Sequence, residues 1–187
     1  GYARRGAMVI KEAGRITGPG RIQAGDREIT AEHIIIATGS EPVIPALEGI
    51  NKITAWTNRE TYTTKTLPKR AIVVGGGAVG IETSTFLVRF GVQVTLVHRG
   101  NHFLEREESR VGELAHTALE EAGITIRLGA SAQSARRTEG GSVLVLDDGT
   151  EIPTDIVMFA TGRAPRTRDL GFENAGVQLD DRGKMVI

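Results

Sequence analysis

The sequence contains no cysteine. Within this chain that excludes a disulfide, a thiolate metal site and a cysteine nucleophile, and it fits a reducing cytosol. Aromatic side chains make up only 4% of the 187 residues. A core must therefore be built from Val, Ile, Leu and Ala, for which a hydrophobic fraction of 40% suffices. Neither sign of charge is in excess, with 23 Lys and Arg against 23 Asp and Glu. That balance argues against a nucleic-acid partner or a polybasic membrane surface. No apolar run approaches the length that spans a bilayer. The start, Gly1-Tyr2-Ala3-Arg4-Arg5, has neither an initiator Met nor a signal-type apolar segment, and the end, Lys184-Met185-Val186-Ile187, falls inside a strand-like run. Both ends read as those of a fragment.

What the sequence does have is a repeated strand ending on either side of a glycine turn. Ile34-Ile35-Ile36-Ala37-Thr38-Gly39 and Val157-Met158-Phe159-Ala160-Thr161-Gly162 bracket Ile72-Val73-Val74-Gly75-Gly76-Gly77-Ala78-Val79-Gly80-Ile81-Glu82. A lone Gly-x-Gly-x-x-Gly is weak evidence for a dinucleotide site. Placed between two similar strand endings, it says that one nucleotide domain is inserted in another.

The rest of the pattern supplies the surroundings. Residues 9–16, 21–24 and 28–36 read as an antiparallel patch with turns at Gly18-Pro19-Gly20 and Gly25-Asp26, the last strand ending Ile34-Ile35-Ile36. Residues 51–66 read as a polar linker with a short helix near Asn58-Arg59-Glu60. Residues 71–74, 92–97 and 124–128 read as parallel strands. The helices between them are 78–90, with Val79, Phe86, Leu87 and Phe90 on one face, and 108–122. Strand, helix and strand within about thirty residues is the size of a βαβ crossover. Residues 134–137, 143–146 and 151–152 read as an antiparallel excursion, 155–160 as a final buried strand, 161–176 as loop and 177–187 as a hairpin.

The glycine turn has a specific chemistry. Gly75 permits the tight turn off the strand, Gly77 lets the backbone approach a pyrophosphate, and Gly80 lets the helix pack on the sheet. The helix N-terminus then presents unpaired N–H groups to phosphates. Eighteen positions after Gly80, where NAD-specific domains place an acid for the ribose hydroxyls, this sequence has His98-Arg99. A carboxylate repels a 2′-phosphate, whereas a guanidinium pairs with it. At 4 Å and an effective dielectric near 20, such a pair amounts to about 4 kcal/mol before desolvation. NADP is therefore expected over NAD. Arg106 adds a second cation if the loop 100–105 folds back. Glu82, placed in the first turn of the helix, reads either as a dipole partner or as a residue near the nicotinamide. His33, His98, His102 and His116 have no metal-ligand spacing. Glu107-Glu108 reads as a helix start, Asp147-Asp148 as a turn and Arg136-Arg137 as a solvated strand end.

On Ile36-Ala37-Thr38-Gly39-Ser40-x-Pro42, the turn Gly75 to Glu82, and Ala160-Thr161-Gly162-Arg163-x-Pro165, the chain resembles the pyridine nucleotide–disulfide oxidoreductases. Dihydrolipoamide dehydrogenase, mercuric reductase and glutathione reductase are the similar members. The resemblance implies an α/β fold. In it, a Rossmann-like NAD(P)-binding domain (67–160), with a parallel sheet and an antiparallel excursion, is inserted in a partial FAD-binding domain (1–45 and 161–187), with 46–66 as linker. It further implies that Gly14, Thr38, Gly39 and Ser40 lie near FAD. Gly75, Gly76, Gly77, Ala78, Val79, Gly80, Glu82, Ala132 and Gly162 would line the nicotinamide nucleotide together with His98 and Arg99, with Glu82 paired to a lysine of the FAD domain.

The family's first FAD βαβ unit with its Cys-x4-Cys pair, and its C-terminal dimerisation domain, have no counterpart in the sequence given. The expectation is therefore a cytoplasmic, homodimeric parent flavoenzyme moving hydride from NAD(P)H to FAD and then to a disulfide or similar acceptor. The isolated chain is expected to be inactive and to hold FAD weakly or not at all, and no catalytic residue is assigned to it. A quinone reductase or oxidase of similar plan, and a non-catalytic nucleotide-binding module, remain the alternatives.

Overall fold

The computed structural model describes residues 2–186. Its strands are β1 Gly14–Gly18, β2 Arg21–Ala24, β3 Arg27–Thr30, β4 Ser40–Pro42, β5 Ala55–Trp56, β6 Arg70–Val74, β7 Gln93–His98, β8 Thr125–Leu128, β9 Ala132–Thr138, β10 Gly141–Leu146, β11 Glu151–Thr154, β12 Ile156–Phe159 and β13 Arg163–Pro165. Its α-helices are α1 Asn58–Thr63, α2 Ala78–Arg89 and α3 Ser109–Glu121. The chain divides into two compact units. The first holds residues 1–41 and 164–187, the second 42–163. It passes between them just after Glu41 and just after Arg163, in each case a short step past an Ala-Thr-Gly.

The second unit is a five-stranded parallel sheet in the order β5-β12-β6-β7-β8. β6, α2 and β7 make one crossover, and β7, α3 and β8 the next. The apolar runs of the central strands are continuous because both faces are covered. Ala71 and Val73 of β6, Val94 and Leu96 of β7, and Ile156 and Met158 of β12 join the cluster containing Leu87 of α2 and Leu119 of α3. Ile72, Val74, Val97, Val157 and Phe159 join Ala135, Leu144 and Leu146 of the antiparallel sheet β11-β10-β9 on the other face.

Residues 46–66, expected as a linker, lie inside this unit. β5 pairs in parallel with β12 at Ala55↔Val157 and Trp56↔Met158. The helix anticipated near Asn58-Arg59-Glu60 is α1. It begins with a capping box in which the Thr57 N–H and hydroxyl donate to Glu60 Oε2 at 2.7 and 2.6 Å, and Arg59 N–H donates to Thr57 Oγ1 at 3.3 Å.

Of the expected apolar face of α2, Leu87 is buried and Phe86 packs against the core, while Val79 and Phe90 fall outside it. Gly80, Thr83, Ser84 and Leu87 are buried, whereas Val79 is 40% and Phe90 64% exposed. A side chain at Gly80 would collide with the Gly75 carbonyl, so the helix lies too close to the chain beneath for bulky residues on that face. The aromatics pack on each other, Phe86 with Phe90 at 4.9 Å and with Tyr62 at 5.2 Å between ring centroids.

In the first unit β1, β2 and β3 form an antiparallel meander, with Ile16↔Ile22 and Ile22↔Ile29 in register. The Ile16 N–H donates to the Leu170 carbonyl at 2.8 Å, and Asn174 Nδ2 donates to the Ile16 carbonyl at 2.9 Å. The strand expected at Ile34-Ile35-Ile36 is absent. These residues are irregular and Ile35 is 92% exposed. A strand is held by its neighbours' hydrogen bonds, and among the described residues none pairs with 34–36. The hairpin expected over 177–187 is present at its described residues, with Leu179 opposite Met185 and Val186 N–H donating to Gln178 O at 2.9 Å.

Candidate functional site

The site is built where β6 ends. Gly75 turns the chain with φ +123°, its N–H donating to the Val97 carbonyl at 2.9 Å. At Gly75 a Cβ would meet the carbonyl of Ala160, at the end of β12. Gly77 then caps α2 in extended conformation, with no side chain turned back onto the helix amides. A Cβ on Gly77 would meet nothing within 4 Å. The first amides of α2 therefore remain open to a ligand, with the positive end of the helix dipole behind them.

These amides border a cavity of about 660 Å³, within the range usual for a small-molecule site. It lies wholly in the second unit. Gly75, Gly76, Gly77, Ala78, Val79, His98, Arg99, Ala132 and Gly162 all line it. Gly80 stands behind the lining, packed on Gly75. Glu82 is placed elsewhere. It is the fifth residue of α2, not in its first turn, is exposed, and borders a separate shallow groove with Phe86 and Phe90. A dipole interaction falls off within the first turn, so the helix terminus explains little of Glu82. Gly14, Thr38, Gly39 and Ser40 belong to the first unit. Gly14 opens β1, Thr38 and Gly39 are exposed, and Gly39 has φ +74°.

The loop after β7 does fold back. Leu104 N–H donates to the Gly76 carbonyl at 3.0 Å, and Arg106 lines the cavity beside Arg99. Arg99 is exposed and forms no salt bridge among the described residues. Glu105 and Glu107 line the same cavity.

Phe103 anchors this loop. It is fully buried, its ring centroid 6.1 Å from that of His98 and 5.7 Å from that of His116. Sequence reasoning passed over Phe103 and Leu104. The available signal was an apolar pair inside the polar stretch Gly100 to Glu108, in a chain with few aromatics.

His98 contacts the turn directly, because Gly76 N–H donates to its Nδ1 at 3.1 Å. Its side chain is 11% exposed, and Nε2 is buried with no hydrogen-bond partner. Burial lowers the pKa of the imidazole below its ordinary value. Glu105, 3.9 Å from Nε2, and the His102 carbonyl pull the other way but do not overcome it. The contact with Glu105 is therefore one between a carboxylate and a neutral ring at neutral pH.

The family description "Pyridine nucleotide-disulphide oxidoreductase" matches residues 2–187. The chain belongs to that family. It is 34% identical over 163 residues to a mercuric reductase of Acidithiobacillus ferrooxidans, covering 87% of this chain and 29% of the relative. It is 37% identical over 168 residues to a dihydrolipoyl dehydrogenase of Haloferax volcanii, covering 87% of this chain and 35% of the relative. Among solved structures, an HOCl-induced flavoprotein disulfide reductase of Escherichia coli superposes with a TM-score of 0.89 at 27% identity, over 96% of this chain and 42% of that one. The chain thus spans about a third of the length of these two curated relatives. No helix among the described residues is long and apolar enough to cross a membrane.

Proposed function

We propose that the second unit binds a nicotinamide dinucleotide, NADPH in preference to NADH. On this reading the chain is the nucleotide-binding portion of a flavoprotein oxidoreductase that passes hydride from NAD(P)H to FAD and on to a disulfide or similar acceptor. The observation that carries the reading is the glycine turn itself. Open helix amides face a cavity that Arg99 and Arg106 line together. The amides suit a pyrophosphate, and two guanidiniums suit a 2′-phosphate. Glu105 and Glu107 oppose them, so the preference rests on the two cations outweighing two carboxylates, one of which approaches His98.

Hydride transfer is chemistry that the bound nucleotide and flavin supply. The residues of this chain bind and orient. Gly75 to Val79 would hold the pyrophosphate, Arg99 and Arg106 the 2′-phosphate, and Ala132 and Gly162 would close the wall of the site. In the first unit Gly14, Thr38, Gly39 and Ser40 would contribute contacts to FAD. With no catalytic side chain assigned to it, the chain alone is expected to bind nucleotide without turnover. The complete protein is proposed to be a cytoplasmic homodimer.

Calorimetric titration of the chain with NADPH and NADH tests the reading. Tighter NADPH supports it. Equal affinities or tighter NADH overturn the preference, and no heat with either nucleotide overturns the site.

A further inference from the structure

We propose that His98 is the positioning residue of the glycine turn: its neutral imidazole holds the Gly76 amide, and protonation releases the turn and weakens nucleotide binding. The inference deepens the dinucleotide reading above and rests on it for its binding consequence.

The argument starts from donor and acceptor roles. A backbone N–H can only donate, so Nδ1 of His98 must present a lone pair to the Gly76 amide, and the proton of the neutral ring sits on Nε2. The ring has little freedom to avoid that role. It packs against Phe103 with the ring planes 23° apart, and a Cβ on Gly76 would lie 2.5 Å from its Cγ. The turn is thus clamped from both sides. Gly76 N–H is held by His98, and Gly76 O is held by Leu104 N–H at 3.0 Å.

A second proton on the ring would place Nδ1–H against the Gly76 N–H, donor against donor, in a nearly solvent-free position. The hydrogen bond is lost, and either the ring or the turn must move. The next residue along the turn is Gly77, whose neighbouring amides border the nucleotide cavity.

The charged surroundings do not rescue the protonated ring. Burial opposes charge most; Glu105, 3.9 Å from Nε2, and the His102 backbone favour it, while the Arg99 and His102 side chains from the same loop oppose it. From α3, His116 approaches only the far neighbour Phe103, and its Nε2 lies 3.4 Å from Glu120. The turn 75–79 is uncharged. Binding that requires the neutral ring weakens as pH falls through the His98 pKa, up to about tenfold per pH unit below it.

The test uses the full 187-residue chain. NADH is the probe, because the 2′-phosphate of NADPH itself titrates near pH 6. Affinity is measured from about pH 8 to about pH 5. The wild type should lose affinity toward the acid end, with a slope approaching about tenfold per pH unit below the His98 midpoint, and His102→Asn should show the same acid limb. His98→Asn, whose side-chain carbonyl can accept from the Gly76 amide and does not titrate, should show a flat pH profile, read as the ratio of its own affinities at about pH 8 and about pH 5 whatever their level. Separately, without nucleotide, the Gly76 amide resonance should titrate with the same midpoint as the His98 ring nitrogens. A Gly76 amide indifferent to that titration, or an acid limb retained in His98→Asn, overturns the proposal. Absence of NADH binding at every pH would instead remove the dinucleotide reading, and the Gly76 resonance would still decide the His98 contact.

Discussion

Gly80 and Gly75 touch backbone to backbone: a Cβ on Gly80 would run into the Gly75 carbonyl and approach the Ala160 side chain at 3.5 Å. The contact seats the N-terminal turn of α2 against the strand ends and so aims its open amides at the cavity.

Gly80→Ala should therefore cost more than its gain in helix propensity, which is about 1 kcal/mol. The colliding atom is backbone and cannot rotate away. We expect a net loss of about 1–3 kcal/mol in chemical denaturation, with weakened nucleotide binding in the fraction that stays folded. Unchanged stability and affinity would show that the turn relaxes freely.

Arg99→Glu reverses the charge at the cavity edge. NADPH affinity should drop at least about tenfold, or about 1.4 kcal/mol, while NADH affinity changes less. Arg106→Gln should act in the same direction and more weakly. Calorimetry on both nucleotides is the check. An equal drop for both would mean that Arg99 does not read the 2′-phosphate.

Asp155 ties the start of β6 to the start of β12. Its carboxylate accepts from the Lys69 and Arg70 amides at 3.0 and 2.8 Å and from Arg70 Nη2 at 2.7 Å. Burial alone would raise its pKa, but the bonds from Arg70 outweigh burial and hold it below the usual carboxylate value. A lowered carboxylate stabilises the fold above its unfolded-state pKa, and that contribution is lost as pH falls through the folded value. Asp155→Ala should cost about 1–3 kcal/mol at neutral pH, toward the lower end because both side chains are about one-third exposed. The gap to wild type should narrow in strong acid. Urea melts across pH measure it.

Leu87 is the fully buried apolar residue of α2, packed in the core between that helix and the sheet. Leu87→Ala should cost about 2–5 kcal/mol, whereas Phe90→Ala, at an exposed position, should cost little. Thermal unfolding of the two variants shows which end of the apolar face expected from hydrophobic periodicity carries the packing.

Much of the fold was legible because its signals are local. Continuous apolar runs marked β6 and β12, an apolar-rich strand pattern marked β7, glycines with positive φ closed α2 and α3 at Gly91 and Gly123, and the turn Gly75 to Gly80 announced the strand-to-helix junction. These depend on backbone sterics and on burial of both sheet faces, which single residues encode. Family membership was also readable, from three short motifs in a fixed order.

Other features depended on partners distant in sequence. Whether Ile34-Ile35-Ile36 forms a strand depends on a neighbour to pair with, and none of the described residues supplies one. Which part of the apolar face of α2 is buried was decided by how closely Gly80 seats the helix against the strand end at Ala160, which leaves Val79 and Phe90 exposed. That Arg106 joins Arg99 required the Leu104 hydrogen bond to Gly76. That His98 serves the turn required its ring to be pinned between Gly76 and Phe103. The sequence by itself determined the central strands and helices of the second unit, the family and the place of the turn. Only the tertiary structure decided which side chains surround that turn, because their contacts join residues twenty or more positions apart through packing that no local pattern records.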